Sequence, residues 1–220
     1  MEHKKQQTPK IIFFEANIGA GKTTLLERLK KYKNVQVILE PVDVWKNTVD
    51  SSGKNILDHF YTDTKKYSYL FQSFAFLSRE HRLRDIDMDA KYIFVERSIY
   101  SDKNIFALNC RKNKMMEDIE WVIYNRWFKW ANRTIGKYDY GFVYLECPPK
   151  KCYQRLKERN RSEESGVSLD YLLQLNDRHE EWLSNEKKPV LRLSSLDNYR
   201  DSDKVLDTFF TKIVNFTKNI

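Results

Sequence analysis

The sequence predicts an α/β protein, a parallel sheet covered by helices on both faces, and three observations carry that expectation. Five short apolar runs, each rich in β-branched or aromatic residues and too short for a typical helix, are spread along the 220 residues. The longer segments between them place apolar residues at three- and four-residue steps, the helical period. The first run passes through a glycine-rich turn straight into a helical segment, as "FFEANIGAGKTTLLERL" from Phe13 to Leu29. Strands that alternate with helices in this way form a parallel sheet buried on both sides.

In chain order, "IIFFEA" (Ile11–Ala16) is the first strand and Lys22–Lys33 the first helix. "VQVILE" (Val35–Glu40) is the second strand, Lys65–Arg84 a helix, and "YIFVER" (Tyr92–Arg97) the third strand. A helix over Glu117–Arg133 leads to "GFVYLE" (Gly141–Glu146), then helices over Lys150–Arg159 and Leu169–Trp182. "VLRLS" (Val190–Ser194) and a helix over Lys204–Lys218 close the pattern. Ligands of such sheets lie outside the carboxyl ends of the strands. The glycine-rich turn, Glu40, and the Glu96–Arg97 pair each end a strand, so three chemically capable groups fall on one edge.

Residues 1–220 are expected to form a single domain. A chain of this length buries roughly 70–75% of its unfolded surface and needs no staples. Its 41% hydrophobic and 14% aromatic content argues for a packed globule rather than disorder. Cys110, Cys147 and Cys152 have neither metal-ligand spacing nor neighbouring histidines, and read as reduced thiols of a cytoplasmic or otherwise intracellular protein. The net charge of +8 is spread from end to end among acids, which favours a solvated surface with one anion site over a nucleic-acid groove. "IIFF" is too short for a signal-peptide core, and nothing approaches the ~20 apolar residues that span a bilayer.

The glycine-rich turn departs from the usual phosphate-binding spacing G-x-x-x-x-G-K-[ST], because Ala16 stands in the first glycine position. Gly19, Ala20 and Gly21 still let backbone N–H groups turn inward around phosphate oxygens, and the following helix presents its positive end to the same anion. Lys22 is then placed to reach the β- and γ-phosphates and the Thr23 hydroxyl to ligate Mg²⁺. A methyl at Ala16 is tolerable if its φ stays negative. Glu96 follows four apolar residues, as does the metal-side carboxylate of nucleotide-site strands, although a buried Glu–Arg pair also serves simply to hold loops. Glu40, at its strand end, is placed to take a proton from a hydroxyl attacking phosphorus, a position that a purely structural glutamate also occupies.

Taken together the motifs resemble the cellular deoxynucleoside kinases, the group of deoxycytidine and deoxyguanosine kinase. The resemblance rests on "EANIGAGKTT", "EPVDVW", "YTDTKKYSYLFQSFAFLSR", "VERSIYSDKNIFA", "DIEWVIYNRW" and "RLKERNRSEESGVSLDYLLQLNDRHEEWL", in family order from Ile11 to about Tyr199. It implies a P-loop kinase fold with a flexible arginine-rich lid at about 155–167, usually a homodimer, acting on a deoxynucleoside with ATP and Mg²⁺. By that resemblance Ala16, Asn17, Ile18, Gly19, Ala20, Gly21, Lys22, Thr23 and Thr24 form the ATP phosphate site, and Arg155, Arg159 and Arg161 close over it. Glu40 looks like the general base on the sugar 5′-hydroxyl, with Arg97 holding both, and Glu96 like the metal-side acid, sometimes described as the base itself. Lys22 and Arg159 would stabilise the transferring phosphoryl. Tyr61 and Glu164 match positions that bind the 3′-hydroxyl. Gln72 matches the amide that pairs with the base edge, and Trp45, Phe71 and Phe106 the walls around the ring. Arg79 and Asp102, with Ala75, match the far edge of the base, where their charges would disfavour thymine and leave deoxycytidine or a purine deoxynucleoside preferred.

The helically spaced stripe Trp121, Tyr124, Trp127, Phe128 reads as core or subunit packing rather than a base-stacking platform, and the family uses this helix at the dimer contact. "LDNYR" (Leu196–Arg200) lies where the family contacts adenine but matches it poorly. The competing readings are a nucleoside monophosphate kinase, which would need an arginine-lined pocket in place of Glu40 and Gln72, and a non-catalytic nucleotide-binding protein. "DSSG" (Asp50–Gly53) superficially fits a GTPase element, but no strand precedes it and no N-K-x-D motif follows. No nucleic-acid or membrane partner is expected.

Overall fold

The computed structural model describes residues 9–161, 164 and 166–220. β1 (Lys10–Glu15), β2 (Val35–Ile38), β3 (Tyr92–Glu96), β4 (Tyr140–Glu146) and β5 (Val190–Ser194) make one sheet in the order β2-β3-β1-β4-β5. Every neighbouring pair is parallel. Around it run α1 (Lys22–Leu29), α2 (Val42–Asn47), α3 (Ile56–Thr62), α4 (Thr64–Arg82) and α5 (Ile99–Ser101). A π-helical stretch, Asp102–Ala107, joins α5 to α6 (Leu108–Lys112). α7 (Asp118–Ile135), α8 (Pro149–Arg159), α9 (Leu169–Ser184) and α10 (Asp203–Phe216) complete the chain.

The apolar runs are continuous rather than alternating because both faces of the sheet are buried. The pleat sends Ile11, Phe13, Ile93, Val95 and Phe142 into one core with Phe71 and Phe76 of α4 and Tyr124 of α7. It sends Ile12, Phe14, Phe94, Val143 and Leu145 into a second core with Leu25 and Leu26 of α1, Leu156 of α8, and Phe209 and Ile213 of α10. The α/β layering therefore matches the expectation, and helix ends differ by a few residues.

Two local differences bear on the site. β2 ends at Ile38, not Glu40. Pro41 cannot donate to a ladder and confines the residue before it, so Glu40 sits just past the strand at the entrance to α2. α2, α3 and the 99–112 region were not legible as helices, since six- or seven-residue pieces are too short to display a helical period. Their caps are visible only afterwards: the Asn55 side chain accepts from Asp58 N at α3, and the Asp63 side chain from Lys66 N at α4.

The aromatic stripe of α7 divides. Tyr124 is fully buried and Trp121 and Phe128 pack against the core, whereas Trp127 is left 46% exposed. Ile119, Val122, Ile123 and Trp130 are exposed with it, giving the helix a second, unburied apolar face. Among the described residues no helix is long and apolar enough to cross a membrane.

Candidate active site

The turn between β1 and α1 is built on two left-handed glycines, Gly19 (φ +78°) and Gly21 (φ +99°). A Cβ at Gly19 would lie 2.7 Å from the Cys152 carbonyl oxygen, so the loop packs tightly on the first turn of α8. Ala16 is fully buried and is not among the residues with positive φ, which is why its methyl fits where a glycine is usual. Asn17 turns away from the loop's mouth: its Nδ2 donates to Leu172 O of α9 at 2.8 Å, and its Oδ1 accepts from Ile18 N at 2.9 Å. Lys22 is buried, with Nζ 3.4 Å from both Ala16 O and Asn17 O. Burial, and then the charge of Arg97, push its amine down to about 8.

The loop is braced from behind. Arg155 donates to Ala20 O and to Ser195 O, each at 2.9 Å, and the Tyr199 hydroxyl donates to Ala20 O at 3.4 Å and to Gly21 O at 3.3 Å. Arg155 thus ties the loop carbonyl of Ala20 to the end of β5, while Arg159 and Arg161 line the cleft in front. Tyr199, whose segment carried a poor motif match, is a loop contact that sequence reading did not single out.

Across the loop stands the end of β3. The Thr23 hydroxyl donates to Glu96 Oε1 at 2.6 Å, and Glu40 N donates to Glu96 Oε2 at 3.3 Å, so this one carboxylate ties the ends of β2 and β3 to α1. Arg97 has a φ of +64°, a left-handed conformation that costs a non-glycine residue roughly 1–2 kcal/mol. That backbone turn aims its guanidinium back over the sheet, where Nη1 donates to Ala16 O at 3.0 Å and Nε lies 3.4 Å from Glu40 Oε1. Its face lies over the Phe106 ring at 4.7 Å, a cation–π contact.

Arg79, from α4, is the centre of the cluster. It meets Glu40 Oε1 at 2.8 Å through Nη2, Asp102 Oδ2 at 2.9 Å through Nε, and Glu96 O at 3.2 Å through Nη1. The expected Arg79–Asp102 pair is present, and its extension to Glu40 was not foreseen. Burial opposes ionisation of Glu40, but Arg79, Arg97 and Lys22 outweigh it and hold the carboxyl below its ordinary range. Asp102 goes the other way. Burial raises its carboxyl above the ordinary value, because Arg79, the cation it pairs with, is shared with Glu40, whose own negative charge adds to the rise.

These groups share one cleft of about 490 Å³. Its deep wall is apolar, with Trp45 and Phe71 edge to face at 5.5 Å and Gln72 set among them only 2% exposed. Trp45 is fixed by its indole N–H donating to Ser78 Oγ at 2.8 Å. Tyr61, Arg159, Arg161 and Glu164 line the same cleft, and Arg159 is paired with Glu164. Burial, reinforced by Glu164, keeps the Tyr61 hydroxyl protonated far above its ordinary range. Ser162, Glu163 and Ser165 of the expected lid lie outside the described residues.

Two groups beneath the site had not been singled out. Glu15, the last residue of β1, is fully buried and accepts from Ser98 Oγ at 2.6 Å through Oε1, while Oε2 has no hydrogen-bond partner among the described residues. Burial pushes its carboxyl up to about 7, against the smaller pull of Ser98 and Arg97. His179, also fully buried, has Nδ1 2.7 Å from Leu175 O and stacks on Tyr144. Neither carries a local signal, since a lone strand glutamate or helix histidine looks the same on a surface. Among the described residues no three His, Cys, Asp or Glu side chains gather to hold a metal ion.

Residues 12–218 match the deoxynucleoside kinase family. The chain is 36% identical to a probable deoxycytidine kinase of fowlpox virus, over 97% of this chain and 91% of the relative. It is 33% identical to human deoxycytidine kinase over 87% of this chain and 86% of the relative. Human mitochondrial thymidine kinase 2 is 34% identical over 83% of this chain and 67% of that protein.

Proposed function

The chain belongs to the deoxynucleoside kinase family, and we propose that it transfers the γ-phosphoryl group of ATP, or another nucleoside triphosphate, to the 5′-hydroxyl of a deoxynucleoside. The product is a deoxynucleoside monophosphate for nucleotide salvage. The observation that carries this reading is one cleft in which Lys22 and Thr23 face the Glu40–Arg79–Arg97 cluster, with an apolar slot behind it.

In this reading the sugar lies between Glu40 and Tyr61, and its base enters the slot of Trp45, Phe71 and Phe106 with Gln72 on its edge. Glu40 is ionised near neutral pH and accepts the 5′-hydroxyl proton as the oxygen attacks phosphorus. Arg97 and Arg79 fix the carboxylate at the attacking side. Lys22 leaves the Ala16 and Asn17 carbonyls for the β- and γ-phosphates, and the triphosphate's charge favours its protonated form. Arg159 and Arg161, in a lid over about 155–167, stabilise the equatorial oxygens during transfer. Glu164, with Tyr61, takes the 3′-hydroxyl.

Thr23 and Glu96 offer a hydroxyl and a carboxylate side by side, an oxygen set that suits Mg²⁺ held mainly by a substrate's phosphates and water. When bound, the ion neutralises charge on the β- and γ-oxygens. The exposed face of α7, with Trp127 and Trp130, supports a homodimer, and a cytoplasmic setting fits its reduced thiols. Arg79 and Asp102 at the far edge of the slot support deoxycytidine or a purine deoxynucleoside over thymidine.

A monophosphate acceptor is less well served, since Arg79 and Arg97 are both engaged by carboxylates. The test is initial-rate kinetics with the four deoxynucleosides and with deoxynucleoside monophosphates, in ATP and Mg²⁺. Transfer to nucleosides supports the reading; transfer only to monophosphates, or ATP binding without transfer, overturns it.

A further inference from the structure

Glu15 ends the apolar run of β1, and the pleat puts its carboxyl on the same face of the sheet as the core residues Ile11 and Phe13. It is fully buried, its Oε1 accepts from Ser98 Oγ at 2.6 Å, and its Oε2 has no hydrogen-bond partner among the described residues. An apolar side chain is easier to bury at such a place than a carboxyl held through one oxygen. Stability of the sheet therefore does not account for an acid here. The residue that the acid holds does.

Ser98 is pinned from two sides. Its Oγ donates to Glu15 and accepts from Ser101 N at 3.2 Å, and its own N donates to Ser101 Oγ at 3.2 Å, the reciprocal box that opens α5. The residue just before it is Arg97, with its φ of +64°. A strained backbone of this kind persists only where its surroundings over-determine it. Three consecutive residues at the end of β1 do so. Phe14 O accepts from Arg97 N at 3.0 Å, Ala16 O accepts from Arg97 Nη1 at 3.0 Å, and Glu15, between them, takes the hydroxyl of Ser98. Arg97 Nε then lies 3.4 Å from Glu40 Oε1. Neither Glu15 nor Ser98 lines the cleft, so whatever they do there they do through Arg97.

We propose that Glu15, acting through the Ser98 hydroxyl, is a positioning residue that fixes the left-handed turn at Arg97 and so the aim of the Arg97 guanidinium at Glu40. Under the proposed transfer to a 5′-hydroxyl, on which this assignment rests, Arg97 holds the Glu40 carboxylate at the attacking side. Without the Glu15–Ser98 bond the Ser98 side chain can rotate, and the Arg97 turn keeps only its bonds to Phe14 O and Ala16 O. Glu40 is then left to Arg79, at 2.8 Å, and its carboxylate shifts relative to the attacking oxygen. A shift of about 1 Å at a reacting group costs up to about 10²-fold in rate. The walls of the cleft are untouched, so the loss falls on kcat and not on KM. Ser98 donates to Oε1 whether or not Oε2 carries a proton, so the hold does not depend on the charge of Glu15, and the amide oxygen of a glutamine can replace it.

The experiment compares Glu15→Leu, Glu15→Gln, Ser98→Ala and the double variant Glu15→Leu with Ser98→Ala in the full chain. It reads steady-state kinetics, the melting temperature, and the Arg97 Nε–H resonance, identified as the signal that Arg97→Lys removes. Glu15→Leu should lower kcat about 10- to 100-fold with both KM values within about threefold and no fall in melting temperature. Glu15→Gln should keep kcat within a few-fold, because it keeps the acceptor. The double variant should lose no more than Ser98→Ala alone, since both changes break one bond. The Arg97 resonance should exchange faster with water in Glu15→Leu and Ser98→Ala but not in Glu15→Gln. Unchanged kcat in Glu15→Leu, a loss in KM instead of kcat, losses that multiply in the double variant, or an equal loss in Glu15→Gln overturns the proposal. If Glu15→Leu does not fold, Ser98→Ala against Glu15→Gln carries the same comparison. The resonance needs no turnover: a loosened Arg97 in a chain that phosphorylates no nucleoside would refute the function proposed above and leave the Glu15–Ser98 hold standing, whereas an unaltered resonance would refute the hold itself.

Discussion

Glu40 takes its charge state from its neighbours, and the expected effect of changing it follows from that. Arg79 and Arg97 keep it ionised against burial, so Glu40→Gln removes the basic oxygen while keeping shape and hydrogen bonding. A loss of about 10²–10⁴-fold in kcat with little change in nucleoside KM is expected from steady-state rates. Near-normal turnover would transfer the role to Glu96. Glu15 and His179 make a second, opposite pair of statements about pH. Glu15 holds its proton to about 7 in the fold against an ordinary 4.5, a difference on the order of 3 kcal/mol. Its stabilising contribution is whole below the unfolded value and is lost as pH rises through 7. His179, held down to about 3 against 6.5, contributes stability that grows as pH rises through that range. The two oppose each other between 4.5 and 6.5, so the melting profile of the intact protein reports neither alone. The difference between the protein and Glu15→Gln does: stability relative to the variant should fall as pH rises from about 5 to 8. A pH-independent difference would mean that Glu15 is not shifted. Glu40, Glu96 and Lys22 were legible because each belongs to a motif with fixed spacing. Glu15 and His179 were not, because their importance comes from burial that only the tertiary structure creates.

At the scale of the element, the loop between β1 and α1 separates conformational need from habit. Ala16 has no positive φ, so Ala16→Gly adds only backbone freedom, roughly 0.5–1 kcal/mol of destabilisation, with turnover within a few-fold. Gly19→Ala meets both a left-handed φ and the Cys152 carbonyl, and should raise the KM for ATP far more than that for the nucleoside. Equal behaviour of the two variants in the same assay would remove the argument. α7 shows where periodicity stops informing. Its spacing announces an apolar helix but does not say which aromatics meet the core and which stay exposed, and Tyr124 and Trp127, three residues apart, end up on different sides of that division. If the proposed homodimer forms through this face, Trp127→Glu with Trp130→Glu should leave the melting temperature of the protomer nearly unchanged and shift the mass measured by light scattering to that of one chain. An unchanged mass would place any dimer contact elsewhere.

At the scale of the whole molecule, the parallel sheet is what made so much of the cleft legible. Once strands one, two and three are recognised and parallel, their carboxyl ends must share an edge, and the loop, Glu40 and Glu96 arrive together without any contact being known. The strand order β2-β3-β1-β4-β5 was not legible, because helical crossovers of similar length permit several orders. Nor was the bond by which α4 reaches Glu40, since Arg79 lies 39 residues from it in sequence. That bond changes what base selection implies. Arg79 sits between Asp102 and Glu40, so under the proposed function one guanidinium would serve both base recognition and the carboxylate that takes the proton. Arg79→Met alone would leave Asp102 buried without its cation, which burial already disfavours as an anion. Arg79→Met with Asp102→Ala removes both charges and opens apolar space where thymine carries its methyl group. The expected outcome has two parts, read from competition between thymidine and deoxycytidine and from kcat for each. The ratio of kcat/KM moves toward thymidine because the penalty on its methyl is gone. At the same time kcat falls for both nucleosides, because Glu40 keeps only its longer contact with Arg97 at 3.4 Å. A shifted ratio with undiminished kcat would separate base recognition from catalysis, and an unchanged ratio would show that the Arg79–Asp102 pair does not choose the base.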